Sequence, residues 1–161
     1  YDFLKKINLK YIVLCENLSI SEIHTAGIPD NIMKTLILDI KFNEKYFERV
    51  LHHEVFHIIY LQHRKIFNEG EWTEFNNSKF KYAECSTCTK KIGLKKYEKT
   101  KGFFTEYSMS TASEDMAEVY SHMIHLKKKE INQIRKLDPI LNNKISYIES
   151  KIKQIDNSFT F

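Results

Sequence analysis

The chain has 161 residues, 42% of them apolar and 13% aromatic, with 25 basic against 21 acidic side chains and a net charge of +4. That is long enough for one domain with its own core and too apolar for a disordered chain. No apolar run approaches the roughly 18 residues of a membrane span, and charges this evenly mixed argue only weakly for a polyanionic partner.

The chain begins at Tyr1, without an initiator Met or a basic-then-apolar leader, which implies a trimmed or processed product whose targeting information is missing. Residues 2–8 read as a short helix or an irregular start. Residues 10–15, K-Y-I-V-L-C, predict a strand that residues 18–23 extend or pair with. A-G-I-P-D at 26–30 predicts a turn, and residues 35–40 a second strand. Asn43 fits an N-cap with Glu44 in the first turn, opening a helix to about His63.

Residues 64–105 are the least regular. They carry Trp72, a polar run at 76–78, and Lys90, Lys91, Lys95, Lys96, Lys99 and Lys101. Interleaved glutamates make these lysines a solvated surface rather than a nucleic-acid patch. Cys85 and Cys88 form C-S-T-C, open to a local disulfide, two free thiols or an incidental pair. Thr111 and Glu114 then have capping-box spacing, with Ser113 as a rival cap. The helix they open runs through Leu126 and closes on Lys127–Lys129, cations at the negative end of its dipole. Ile131, Ile134 and Leu137 continue an amphipathic helix to Asp138-Pro139, an N-cap and opening proline for the last helix.

The first long helix contains V-L-H-H-E-V-F-H-I-I-Y, in which His53, Glu54 and His57 form H-E-x-x-H. Four residues at about 100° each return His57 to within roughly 40° of His53, one turn on. Two imidazoles so placed can bind one zinc ion. Glu54 lies beside such a metal, where a carboxylate takes a proton from bound water and later delivers it to a leaving group. His52 points about 100° away from His53 and reads as packing. The helix is apolar nearly all round, and polar groups buried there need partners. Two core histidines hydrogen-bonded to carbonyls would satisfy that need without a metal.

Zinc with two histidines takes a third protein ligand and leaves one position open. Glu114 is the best candidate, in G-F-F-T-E-Y-S-M-S-T-A-S-E-D-M-A-E. Glu118, four residues on, shares its helix face and can accept the free N–H of a ligand histidine. The competing reading makes both ordinary surface glutamates.

H-E-x-x-H followed by E-x-x-x-(D/E) on a later helix resembles the gluzincin metallopeptidases, the thermolysin-like group. The closer likeness is to the catalytic domain of anthrax lethal factor and to bacterial putative zinc-binding metallopeptidases. In these a tyrosine precedes the glutamate ligand by seven residues, as Tyr107 precedes Glu114. The run ending in S-E-D-M-A-E resembles the latter group's E-D-F-A-E. Trp72, Asn76, Phe80 and Tyr82 match its W-x-x-x-N-x-x-x-F-x-Y stretch. The resemblance spans roughly residues 35–126.

It implies an α+β, zincin-like fold, with a small mixed sheet packed on the H-E-x-x-H helix and a helical C-terminal half. The whole chain would be one domain: sheet and active-site helix at 1–64, a loop-rich insert at 65–105, helices at 110–156. His53, His57 and Glu114 would hold one Zn2+, Glu54 would be the general base, Tyr107 the oxyanion donor and Glu118 the support behind a ligand. Tyr107 packing on Phe103 and Phe104 is the plainer alternative for that side chain. The implied activity is a zinc-dependent endopeptidase acting on a protein or peptide, secreted or at the cell surface; the charge pattern and the lack of a recognisable binding module argue for no nucleic-acid partner. An inactive zinc-binding interaction module is the alternative. The C-S-T-C insert and the lack of a recognisable exosite leave the substrate open.

Overall fold

The computed structural model describes residues 2–42, 44–90, 93–97 and 99–161. It is a mixed α+β structure. Helix α1 (Asp2–Lys6) leads into five strands, β1 (Tyr11–Cys15), β2 (Ser19–Ile20), β3 (Ile23–His24), β4 (Gly27–Asp30) and β5 (Thr35–Asp39). Five further helices follow: α2 (Phe47–Gln62), α3 (Glu69–Glu74), α4 (Ala112–His125), α5 (Lys128–Leu137) and α6 (Pro139–Ile155).

The main sheet has the order β1-β5-β4, with β1 parallel and β4 antiparallel to the central strand. Central position goes with burial of both faces of T-L-I-L-D: Leu36 and Leu38 are fully buried on one, while Thr35 and Asp39 are buried and Ile37 is half-buried on the other. Residues 26–30, expected as a turn, instead form edge strand β4. Pro29 is tolerated there because an edge strand has one side on which no N–H is required. Residues 18–23 do not extend β1. Ser19–Ile20 folds back on Ile23–His24, with Ser21 and Glu22 both at positive φ (49° and 67°), the twist a two-residue hairpin turn needs.

The cap expected at Asn43 lies outside the described residues. A 3-10 turn at Glu44–Tyr46 precedes α2. The irregular 64–105 segment holds α3, capped by the Asn68 side chain on Glu71 N, and Cys85 is bonded to Cys88 as a disulfide. Of the lysines in that segment, Lys90, Lys95, Lys96, Lys99 and Lys101 are exposed. Lys91 lies outside the described residues. Lys127–Lys129 do not close α4. The helix ends at His125, Leu126 turns extended, and Lys127 opens α5 with its backbone N–H on Glu130. α5 packs against α6, to which Asp138 connects it.

The core joins the sheet, α2, α3, α4 and α6 through Leu38, Phe56, Trp72, Met116, Ile145 and Ile148. Asp115 sits inside it, fully buried. Its Oδ2 accepts from Trp72 Nε1 (2.9 Å), the Tyr82 hydroxyl (2.6 Å) and Lys144 Nζ (2.6 Å). This hub locks the start of α4 against α3 and α6.

Candidate active site

Two crossed helices build the site. α2 carries Arg49, His53 and His57 at four-residue spacing, so all three face one direction, toward α4. On α4, Thr111 is the N-cap that accepts from Glu114 N at 3.3 Å, which settles the choice between Thr111 and Ser113. The Glu114 carboxylate leaves its cap and turns to the imidazoles.

Glu114 Oε2 lies 2.9 Å from His53 Nε2 and 3.2 Å from His57 Nε2, and the two nitrogens are 3.1 Å apart. Among the described residues this is the group of His, Cys, Asp and Glu side chains arranged to hold a metal. Bonds of about 2.0–2.1 Å at tetrahedral angles place ligand atoms about 3.3–3.4 Å apart, close to the triangle observed. Behind it, Glu118 Oε1 lies 2.9 Å from His53 Nδ1. If Nδ1 donates its hydrogen there, His53 Nε2 presents a lone pair to the Glu114 oxygen and, when His57 carries its hydrogen on Nδ1, to a second imidazole lone pair. One proton on Nε2 can serve only one of those facing acceptors, whereas a cation serves all three. The donor set therefore fits a metal ion.

The electrostatics agree. Burial works against a charge on His53, but hydrogen bonds to Glu114 and Glu118 and their negative charges raise its pKa to about 10. Burial also opposes ionisation of Glu114. The charge on His57 and hydrogen bonds from both imidazoles outweigh it and hold that carboxyl well below the usual range. Glu118 is held down to about 2, burial being overcome by His53, His122 and Arg49. A pocket that forces a proton onto an imidazole in this way has strongly negative potential where a cation would sit.

Glu54 lies beside the triangle and lines the same groove. Burial first, then Glu114 and Glu118, raises its pKa, against the lowering effect of the two imidazoles. Tyr107, in a 3-10 turn just before α4, has its ring 5.9 Å from that of His53. Burial and the charges of Glu114 and Glu54 push its hydroxyl pKa upward. Of Phe103 and Phe104, the alternative packing partners, Phe103 lies at a tilt against Phe80 and Phe104 stacks on His122.

The groove has a volume of about 1120 Å³ and runs along α2. Gly27 and Pro29 of β4, with Ser86 and Thr87 of the disulfide loop, stand among its walls.

The sequence matches the model of one protein family, described as "Putative zinc-binding metallo-peptidase", over residues 2–157. The chain belongs to this family. No curated protein matches. A crystal structure of a putative zinc-binding metallo-peptidase from Bacteroides caccae ATCC 43185 shares the fold, with a TM-score of 0.57 and 18% identity. The alignment covers 95% of this chain and 61% of that one, so the chain spans about three fifths of that protein. Membership in a zinc-binding metallopeptidase family supports zinc as the cofactor.

Three residues around this cluster were not foreseen from the sequence. Arg49 donates to Glu118 Oε2 at 2.6 Å; an arginine one turn before the first histidine of an apolar helix was its available signal. Thr105 donates to the same oxygen at 2.7 Å and left no local signal. Gly27 left none either. A Cβ on it would lie 2.5 Å from Glu54 Cγ and 2.8 Å from Cδ, so only glycine lets β4 approach the carboxylate. Gly27→Ala should therefore displace the Glu54 carboxylate, as a crystal structure of the variant would show, while zinc content read by metal analysis stays unchanged.

Proposed function

We propose that this chain is a zinc-dependent endopeptidase of gluzincin type on a zincin-like fold, forming one catalytic domain. In this reading His53, His57 and Glu114 hold one zinc ion. The observation that carries it is the convergence of three lone-pair donors from two helices on the wall of an open groove, beside a buried carboxylate. The metal, when bound, supplies Lewis acidity that polarises the scissile carbonyl and makes a water there acidic near pH 7.

The chain's own groups do the rest. Glu54 takes the proton from the attacking water and returns it to the departing amine. Its raised pKa suits a group that must be base and then acid. Tyr107 keeps its proton because burial disfavours the phenolate. It donates to the carbonyl oxygen as charge develops, a contribution of roughly 10²–10³ in rate. Glu118 accepts the His53 Nδ1 hydrogen and so fixes the tautomer that turns Nε2 to the site. The free edge of β4 offers an extended peptide a strand to pair with along the groove.

The test is cleavage of a peptide library by the zinc-loaded protein, with and without a chelator. Cleavage that stops on chelation and returns with one equivalent of zinc supports the endopeptidase. Tight zinc binding with no cleavage of any peptide would make the chain an inactive zinc-binding interaction module.

A further inference from the structure

Arg49 is 4% exposed, a buried guanidinium on α2. Its NH1 donates to Glu118 Oε2 at 2.6 Å and its NH2 to the Leu94 carbonyl at 2.8 Å, while its Cζ lies 5.2 Å from the Tyr46 ring centroid. Thr105 Oγ1 donates to the same Glu118 oxygen at 2.7 Å. Glu118 is thus divided. Oε2 is occupied by two donors, which leaves Oε1 to His53 Nδ1. Rotation of the carboxylate would break all three contacts, so the guanidinium fixes which oxygen faces the imidazole.

Charge points the same way. Glu54, Glu114 and Glu118 bring three carboxyl groups into one buried cluster, and Arg49 is the permanent cation bonded to it among the described residues. A dication with Arg49 balances three negative charges; a dication alone does not. A buried carboxylate that loses its ion-pair partner is left uncompensated and turns from its place, which weakens its hold on His53.

We propose that Arg49 is a positioning residue that sets the metal affinity of this site through Glu118 and His53, and that by gripping Leu94 it couples the metal's surroundings to the groove wall. This rests on the three-ligand reading above. Arg49 is suited to it because a guanidinium can serve a carboxylate and a carbonyl at once with a fixed geometry, which an ammonium cannot.

The experiment measures cobalt(II) affinity, by competition with a chromophoric chelator, and the visible absorption of the bound cobalt. It uses the full chain and its R49M, R49K, E118Q, R49M/E118Q and E114A variants. R49M and E118Q should each bind about 10- to 100-fold more weakly with altered cobalt spectra, and R49K should recover only part of the loss. Because Arg49 acts through Glu118, R49M should add no more than about twofold once Glu118 is glutamine. Wild-type affinity and spectrum in R49M, or multiplying losses in the double variant, would overturn the proposal. Should R49M alone fail to fold, R49M/E118Q, which leaves no unpaired buried charge, takes its place, and a double variant that binds cobalt as tightly as wild type would overturn the proposal. R49K binding as tightly as wild type would also count against it. Equal cobalt uptake by wild type and E114A would instead sink the three-ligand assignment and leave Arg49 without a metal to serve.

Discussion

Glu54→Gln should bind zinc as tightly as the wild type and cleave peptides at least about 10³-fold more slowly. The amide keeps the size and position of the carboxylate against Gly27, so the groove and the metal triangle keep their shape. It cannot accept a proton, and general base catalysis by a positioned group contributes roughly 10²–10⁴. Loss of the later protonation of the amine places the effect in the upper part of that range. Single-turnover cleavage with parallel metal analysis reads both quantities. A variant that keeps even a tenth of wild-type kcat would show that Glu54 is not the base. A variant that loses zinc would show that its carboxylate is needed to hold the ion.

The second large effect is on stability. Lys144→Met should destabilise the fold by about 3–5 kcal/mol, the cost of leaving a buried charge without its partner. Lys144 and Asp115 are both fully buried, with Nζ 2.6 Å from Oδ2, and burial pushes the lysine pKa down while the Asp115 charge opposes it. The ammonium also donates to the Gly102 carbonyl at 2.6 Å and sits 4.0 Å from the Phe103 ring centroid. In a chain of this length the loss corresponds to a Tm lowered by about 6–20 °C. Lys144→Met combined with Asp115→Asn should recover much of it, because both charges then go together. A loss below about 1 kcal/mol in Lys144→Met, measured by denaturant unfolding with an unchanged slope, would contradict the buried pair. Since Asp115 adjoins Glu114, the single variant should also weaken zinc binding, whereas the recovered double should bind nearly normally.

What could be read from the residues alone follows from periodicity. His53 and His57 face together because four residues make about one helical turn, and Glu114 and Glu118 do so for the same reason. The sequence could therefore propose each half of the site. Bringing the halves together is a tertiary event, set by the packing of α2 on α4 and by the Asp115 hub that ties Trp72, Tyr82 and Lys144 to the start of α4. Those partners lie 29 to 43 residues from Asp115 in sequence, beyond any local pattern.

The misreadings have the same origin. A-G-I-P-D carries turn residues, yet pairing with β5 on one side and a close approach to Glu54 on the other make it a strand. Local preference lost to long-range contact there. At Lys127–Lys129 the charge pattern suited a helix end, and the chain did leave its helix nearby. The lysines fell just past the break, at the start of α5, because helix ends are fixed by packing to within a residue or two that composition does not resolve.

The most direct measurement is an anomalous difference map, collected at the zinc absorption edge from crystals grown with one equivalent of zinc. A single strong peak about 2.0–2.2 Å from His53 Nε2, His57 Nε2 and a Glu114 carboxylate oxygen is the expected result. A map with no peak between those three atoms, or with its zinc peak elsewhere on the chain, would contradict it.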